Sequence, residues 1–167
     1  MKIIVFSDSH GKNDEMRRIM LMHKDAYAFL HLGDGAPGFL TLCRENALAG
    51  FAVKGNCDFF SGEHHLENSM VLTFGAFRFF LCHGDAYAVD WSTTRLALAA
   101  KERGCQVALY GHTHVGDNTY LPPKDENDAP LYLFNPGSIS RPRDNTASFG
   151  VIEIKNDQIL LNVAKLR

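Results

Sequence analysis

Five short polar clusters, each following an apolar run, constrain the fold of this chain more than any other sequence feature. They are Asp8-Ser9-His10, Gly33-Asp34, Gly55-Asn56-Cys57-Asp58, His83-Gly84-Asp85 and Gly111-His112-Thr113-His114. Each cluster contains or adjoins a turn-forming residue, which indicates that a strand ends there. Strands that end at a common sheet edge can gather such clusters into one site, although they lie far apart in sequence.

The N-terminal third of the chain alternates between strand and helix signals. Runs of β-forming residues cover 3–6, 26–32 and 51–54, and apolar spacing typical of helices covers 13–24 and 39–46. This βαβαβ order predicts a parallel sheet with right-handed crossovers.

Strand signals dominate the rest of the chain. Gly75-Ala76 and Asn156-Asp157 are predicted hairpin turns, and residues 90–103 have the spacing of an amphipathic helix. The additional strand runs are 70–74, 77–82, 107–110, 131–134, 149–154 and 159–163. Because no linker composition or repeat interrupts the chain, residues 1–167 are predicted to form one domain with two sheets.

Composition and charge exclude several functional classes. Apolar residues make up 46% of the 167 residues and charged residues 22%, as in an ordinary soluble globular domain. The formal charge of −2 argues against a dedicated nucleic-acid surface, but a phosphate-bearing substrate stays compatible because bound cations are not counted. No run approaches the roughly 18 apolar residues of a membrane span, so no membrane association is expected.

Cysteine usage and the N-terminus indicate a cellular compartment. The cysteines are isolated from one another, with no CxxC pair, and the N-terminus lacks a signal-peptide pattern. Free thiols are typical of a reducing environment, so we expect a cytoplasmic protein. The sequence is compatible with a homo-oligomer but does not indicate one.

Seven side chains in the clusters are typical metal ligands that offer oxygen or imidazole nitrogen: Asp8, His10, Asp34, Asn56, His83, His112 and His114. This set is too large for one tetrahedral ion, so we interpret it as a two-metal hydrolytic site. Such donors suit Mn, Fe, Zn, Co or Ni. Two ions about 3.5–4 Å apart can hold a bridging hydroxide and neutralise a phosphoryl group, which is chemistry for hydrolysing phosphate esters.

Each cluster alone also has a structural interpretation. An extended backbone would project Asp8 and His10 to the same side, but the segment could equally be a polar turn. Asp34 is suited to bridge two cations, yet Gly-Asp and Gly-Asn are also common turn pairs. His112 and His114 are harder to explain by packing, because two neutral imidazoles in one turn would compete for few partners.

The clusters match, in order, the motifs D-x-H, G-D, G-N-x-D, a strand-end H and G-H-x-H. In these motifs the chain resembles the calcineurin-like metallophosphoesterases. Residues 135–143 resemble the N-P-G-S segment of their small bacterial and archaeal phosphodiesterase branch, to which the small scaffolding subunit of eukaryotic retromer also belongs. The resemblance implies an α/β fold, a four-layer α-β-β-α sandwich in which two mixed β-sheets are flanked by helices.

The resemblance also implies which residues bind each ion. The ligands of the first ion would be Asp8, His10, Asp34 and His114. The ligands of the second ion would be Asp34, Asn56, His83 and His112, so that Asp34 lies between the two. Mn²⁺ is the metal that this branch implies first, with Ni²⁺, Fe²⁺, Zn²⁺ or Co²⁺ as alternatives.

Two positions depart from the common family pattern. Many members have histidine where this chain has Cys57; that histidine is thought to protonate the leaving group, oriented by the following acid, here Asp58. A thiol is a weaker donor, so Cys57 predicts slow turnover of poor leaving groups, or it only fills space beside the metals. Asp85 stands where relatives have a second histidine, and it either orients His83 or begins the turn.

A few further residues could serve the site or the fold. Arg141 and Arg143 could contact a phosphate or stabilise the Asn-Pro-Gly-Ser turn, and Asn56 and Arg143 are the candidate substrate contacts. His31 is expected to be a packed core histidine. The remaining candidates are expected at the surface, in the core or at the rim of the site: His64, His65, Phe59 and Phe60.

These observations lead to one expected function and its rivals. We expect a metal-dependent phosphoric ester hydrolase, in the first place a phosphodiesterase in which a metal-bridging hydroxide attacks a small phosphate diester. One alternative is a phosphomonoesterase or nuclease with the same site. The other is a non-catalytic scaffold that has kept the fold to bind proteins.

Overall fold

In the part of the chain that the structure describes, two mixed five-stranded sheets and three α-helices make up the fold. The structure is a computed structural model that describes residues 1–60 and 65–166, without the side chains of residues 59 and 60. The expectations for His64 and for the Phe59 and Phe60 side chains therefore lie outside the described residues. His65 is exposed, as expected.

The first sheet contains the parallel strands that the βαβαβ order predicts. Its strands, numbered in chain order, are β1 (Lys2–Phe6), β2 (Ala28–His31), β3 (Gly50–Ala52), β9 (Ser148–Lys155) and β10 (Gln158–Lys165). The helices α1 (Asp14–Met22) and α2 (Ala36–Glu45) connect β1 to β2 and β2 to β3, which run parallel. β9 pairs antiparallel with β1 and with β10, so the sheet is mixed.

The second sheet is built around a parallel centre with antiparallel edges. Its strands are β4 (Ser69–Phe74), β5 (Phe77–Cys82), β6 (Val107–Leu109), β7 (Gly116–Leu121) and β8 (Leu131–Pro136), in the spatial order β4-β5-β6-β8-β7. The sequence did not predict β7, because its Gly-Asp-Asn start has low β-propensity. Its backbone forms a strand by pairing along the full length of β8 at the sheet edge.

Three apolar layers show the predicted sandwich. Ile3 and Val5 of β1 pack between the sheets with Phe79 and Leu81 of β5. The alternate residues of β1 face α1 and α2 on the outside of the first sheet. The alternate residues of β5 face the helix α3 (Thr94–Glu102) outside the second sheet. Both sheets are therefore buried on two faces, which gives the α-β-β-α order of layers.

Two helix boundaries differ from the sequence prediction. α2 begins at Ala36, earlier than expected, immediately after Asp34 and Gly35. α3 begins at Thr94 rather than near Asp90, because Ala88 has a left-handed backbone (φ 54°) and its carbonyl accepts hydrogen bonds from the amides of residues 91 and 92. Asp90 therefore lies in a turn. Among the described residues, no helix combines the length and apolar character needed to cross a membrane.

His31 is a core histidine, as predicted, and it makes stability depend on pH. Its side chain is fully buried; Nδ1 accepts a hydrogen bond from the Gly33 amide (3.1 Å), and Nε2 lies 3.2 Å from the Ser9 hydroxyl. Burial, the largest influence, lowers the pKa of His31 from 6.5 to about 4. His31 therefore binds a proton more weakly in the folded protein than in the unfolded chain. The unfolding free energy decreases as the pH falls from about 6.5 toward about 4.

We expect the shifted pKa of His31 to lower the unfolding free energy by about 2 kcal/mol as the pH falls from about 7.5 to about 5. Denaturant unfolding in the presence of a chelator would measure it, with His31→Gln as the variant that cannot titrate. The wild-type protein should lose more stability than the variant over this range. Equal losses would show that His31 is not the responsible group.

Candidate metal centre

The strand ends deliver all seven predicted ligands to one place. Three clusters follow β1, β2 and β3 of the first sheet, and two follow β5 and β6 of the second. Backbone hydrogen bonds join neighbouring clusters: the His10 amide donates to the Asp34 carbonyl (2.8 Å), and the Gly111 amide donates to the His83 carbonyl (2.8 Å). The His112 amide donates to the Asp8 carboxylate (3.1 Å), which joins the two sheets at the site.

The backbone at these positions is left-handed, not extended. Asp8 and His10 have φ values of 55° and 46°, so of the two alternatives the segment is a turn and not an extended backbone. Asp34, His112 and His114 also lie in the left-handed region, at 58°, 68° and 59°. Such a conformation costs a non-glycine residue about 1–3 kcal/mol and collects at functional sites. The strained turns fold both side chains of a D-x-H or H-x-H pair back toward the same centre.

One group of donors forms around the side chains of His10 and His114. Their Nε2 atoms are 3.3 Å apart. The Asp8 Oδ1 atom lies 3.2 Å from His114 Nε2, and Asp34 Oδ2 lies 3.8 Å from His10 Nε2. Asp8 and Asp34 are buried, so this group places carboxylates and imidazoles together away from bulk water.

A second group forms around His83 and His112. His83 Nε2 and His112 Nδ1 are 3.3 Å apart, and each lies close to Asn56 Oδ1, at 3.0 and 3.1 Å. Asp34 Oδ1 is 3.6 Å from His83 Nε2. The two oxygens of the Asp34 carboxylate therefore face different groups.

Hydrogen bonds on the far side of three imidazole rings decide which nitrogen faces the site. His83 Nδ1 donates to the Leu32 carbonyl (2.7 Å), and His114 Nδ1 donates to the Arg141 carbonyl (2.6 Å), because a carbonyl oxygen can only accept. His112 Nε2 lies 2.8 Å from Asp90 Oδ2, to which it donates. In the neutral rings the nitrogens that face the site therefore present lone pairs.

The imidazole lone pairs that face the site, together with a carboxylate oxygen that has no hydrogen-bond partner, require a cation or a proton. The Asp8 Oδ1 atom is buried and has no hydrogen-bond partner among the described residues. The negative charge of the Asp8 carboxylate, 3.2 Å from His114 Nε2, raises the pKa of His114, whereas burial lowers the pKa of His10. Burial also acts to raise the pKa of Asp8, but His114 and the other neighbours outweigh it and lower that pKa. The site thus attracts positive charge, and its donor chemistry suits divalent metal ions.

Asp58 holds two of the clusters in place. Its carboxylate accepts hydrogen bonds from the backbone amides of Asp34 (2.9 Å), Gly35 (2.7 Å) and Gly55 (2.9 Å). These contacts fix the turn that carries Asp34 against the turn that carries Asn56. Asp58 therefore positions the metal-site backbone, where the sequence suggested that it orients the residue at position 57.

Cys57 lies at the edge of the site as an exposed thiol. Its backbone amide donates to Asp34 Oδ1 (2.7 Å), and its Sγ is near enough to His10 and Asp34 to form a third cluster of metal-type donors. Partial loss of solvent around the thiol and the neighbouring Asp34 raise the pKa of Cys57 to about 11, so the thiol of the metal-free protein keeps its proton at neutral pH. All the cysteines are free thiols, as predicted.

Asp90 is the neighbour of the site that sequence reasoning missed. The apolar spacing of residues 90–103 predicts a helix that includes Asp90, and no motif indicates a functional residue at this position. One carboxylate oxygen lies against His112, and the other is 3.8 Å from Arg143 Nη1. Arg143 is exposed and directed toward Asp90. Asp85 begins a short 3₁₀ turn, and the His83 ring is oriented by Leu32 instead.

Comparison with known proteins shows which family has this fold and this set of donors. Residues 1–157 match the calcineurin-like phosphoesterase superfamily domain, and the chain belongs to this family. It is 31% identical to the probable metallophosphoesterase YsnB of Bacillus subtilis, over 94% of this chain and 86% of that protein. The protein is therefore a member of a family of metal-dependent phosphoesterases.

Two solved structures show the same architecture. A conserved, predicted phosphoesterase of Streptococcus pneumoniae superposes with a TM-score of 0.80 at 25% identity, covering 98% of this chain and 88% of that one. A structure described as a novel archaeal phosphodiesterase has a TM-score of 0.72 at 22% identity, covering 98% and 100% of the two chains. The second likeness concerns the fold alone.

The close approach of the Gly55 turn to Asp34 predicts a sensitive position. A Cβ at Gly55 would overlap the Asp34 backbone nitrogen and Oδ1. We expect Gly55→Ala to push Asp34 out of place, lowering the unfolding free energy of the metal-free protein by about 1–3 kcal/mol and weakening metal binding. Chemical unfolding and calorimetric titration with Mn²⁺ would measure the two effects.

Gly38→Ala is the matched control for this substitution. The nearest atoms to a Cβ at Gly38 belong to the Asn13 side chain, which can rotate away. This variant should leave metal binding unchanged. If Gly55→Ala also binds metal as the wild-type protein does, the packing of the two turns does not position Asp34.

Proposed function

We propose that this protein is a phosphodiesterase that uses two divalent metal ions to hydrolyse a small phosphate diester. The observation that carries the proposal is the division of the donors into two groups that share the Asp34 carboxylate. Each group offers imidazole and oxygen donors within 3.0–3.8 Å of one another. One ion would leave half of these preorganised donors without a partner.

The residues divide between the ions in the manner that the family resemblance implies. Asp8, His10, Asp34 and His114 would hold the first ion, and Asp34, Asn56, His83 and His112 the second. A pair of divalent ions held by these residues would supply an activated water and neutralise phosphoryl charge. Mn²⁺ fits the mixed carboxylate, amide and imidazole donors, and Ni²⁺, Fe²⁺, Zn²⁺ and Co²⁺ could also be bound.

Two recesses flank the donors and support a substrate with two arms. One has a volume of about 450 Å³, and its lining includes His10, Cys57 and Arg141. The other has a volume of about 340 Å³, and its lining includes Lys54 and Tyr87. A diester places a substituent on each side of its phosphorus, so it can occupy both recesses, whereas a monoester occupies only one. The cation of Arg141 suits the phosphate charge.

Metal dependence and Asp34 provide the direct test. A chelator-stripped preparation should not hydrolyse bis-para-nitrophenyl phosphate, and added Mn²⁺ should restore the activity. Asp34→Asn should lower kcat by more than the roughly 10–100-fold that is typical for residues behind a metal ligand, because Asp34 serves both groups. Unchanged activity in Asp34→Asn, or activity without metal, would contradict the proposal.

Asp144→Asn is the control for this experiment. It removes a carboxylate that forms an ion pair with Lys165 (3.4 Å) away from the donors. It should keep wild-type activity. Rates on a matched phosphomonoester and on single-stranded DNA would separate the diesterase from a monoesterase or nuclease with the same site.

The raised pKa of Cys57 predicts a dependence on the leaving group. The thiol holds its proton tightly in the metal-free protein, and a thiol is a weak hydrogen-bond donor, so good leaving groups, which need no proton, should react fastest. If position 57 contributes a proton, Cys57→His should raise turnover of diesters with poor leaving groups by at least about 10-fold more than that of diesters with good ones. Steady-state kinetics over a leaving-group series would measure this difference.

Cys57→Ala separates proton transfer from space filling. It removes the thiol without supplying a new donor, and it should leave good leaving groups unaffected. Equal changes across the series in Cys57→His would place position 57 outside the proton-transfer step.

A scaffold function is the second candidate, and one observation favours it. Trp91, beside the Asp90 turn, is 92% exposed, and a large exposed aromatic side chain is typical of protein-binding surfaces. A stable partner that co-purifies with the protein, together with no metal-dependent hydrolysis, would favour the scaffold over the enzyme.

A further inference from the structure

The carboxylate of Asp90 is directed at the outer nitrogen of His112. The Oδ2 atom lies 2.8 Å from His112 Nε2, on the side of the ring opposite the donors Asn56 and His83. Asp90 reaches this position because the turn after the left-handed Ala88 delays the start of α3. The contact depends on a backbone feature that is separate from the five sequence clusters.

Asp90 differs in charge from the groups that orient the other rings. His83 and His114 donate their outer N–H groups to the carbonyls of Leu32 and Arg141, which are neutral. His112 alone among these three rings donates to a carboxylate. A carboxylate behind an imidazole fixes its tautomer and makes its inner nitrogen a stronger donor to a metal ion.

The second group of donors has less carboxylate charge close to it than the first group, because Asp8 Oδ1 lies 3.2 Å from His114 Nε2 but 4.0 Å from His83 Nε2. In the first group, Asp8 and Asp34 both supply carboxylates. In the second group, Asp34 is shared and Asn56 offers a neutral amide oxygen. Asp90 brings a further carboxylate to the outer side of this group, 2.8 Å from His112 Nε2.

We propose that Asp90 is a positioning residue that sets the affinity of the second group for its metal ion by holding His112 in the Nε2–H tautomer. This inference rests on the proposed two-metal function. The other oxygen of Asp90, 3.8 Å from Arg143 Nη1, makes a separate contact that does not involve the donors. Since the pair with Arg143 is exposed, it contributes little by itself.

Calorimetric titration of the chelator-stripped protein with Mn²⁺ tests the proposal without relying on activity. The wild-type protein should bind two ions. Asp90→Ala should weaken one binding step by about 10–100-fold and leave the other unchanged, because His10 and His114 do not depend on Asp90. Asp90→Asn, which can still accept the hydrogen bond but has no charge, should show a smaller loss.

Two further variants isolate the contact with His112. Arg143→Ala removes the other partner of Asp90, and Asp144→Asn removes a carboxylate that pairs with Lys165 instead. Both should bind two ions with wild-type affinity. Loss of affinity in either variant equal to that in Asp90→Ala would overturn the proposal, because general charge or Arg143 would then explain the effect.

A spectroscopic measurement gives an independent readout of the ring. Long-range ¹H–¹⁵N spectra of the metal-free protein should show His112 in the Nε2–H tautomer in the wild-type protein and a mixture of tautomers in Asp90→Ala. The unfolding free energy of the metal-free variant should match the wild type. A fixed tautomer in the variant, or a loss of stability that accounts for the weaker binding, would overturn the positioning role.

The number of ions that the wild-type protein binds shows whether the two-metal function fails or only the role of Asp90 fails. If it binds fewer than two ions, the proposed two-metal function fails and the role of Asp90 fails with it. If it binds two ions and Asp90→Ala binds both with the same affinities, only the role of Asp90 fails.

Discussion

The position of the Asp34 carboxylate is the constraint on which the site depends. Its two oxygens face the two groups of histidines, and that arrangement requires a left-handed residue directly after Gly33. The Asp58 carboxylate stabilises this conformation. It accepts hydrogen bonds from backbone amides of the Asp34 turn and of the Asn56 turn, and so holds the two turns together. A buried carboxylate that binds three amides therefore stabilises the backbone on which a second carboxylate is presented.

The strands that lead into the strained turns are buried in the sandwich. Five predicted ligands have left-handed backbones, which together cost several kcal/mol at about 1–3 kcal/mol each. The strands before them are buried on both faces, and burial of a large apolar side chain contributes about 1.5–3 kcal/mol. Fully buried residues such as Phe6, Leu30 and Leu81 lie only a few positions before the strained turns. The core thus offsets the strain close to where it arises.

The sequence predicted the composition of the site better than its local geometry. Strand runs followed by Asp, Asn and His placed all seven candidate ligands correctly at the strand ends, because the period of a buried strand is easily recognised. Side-chain spacing did not predict the left-handed turns. The rule that residues two apart, such as Asp8 and His10, project to the same side holds only for an extended backbone. The polar edge strand β7 and the turn that carries Asp90 depend on tertiary pairing, which local propensity does not describe.

The substitution of cysteine for histidine at position 57 is compatible with an intact metal centre. The backbone amide of Cys57 is the group that contacts the donors, because it donates a hydrogen bond to Asp34 Oδ1 (2.7 Å). Every amino acid except proline has this amide N–H. The side chain instead contributes to the recess beside Arg141. The backbone and the side chain of this residue thus serve different parts of the site, so a change of side chain can alter the recess without altering how the donors are held.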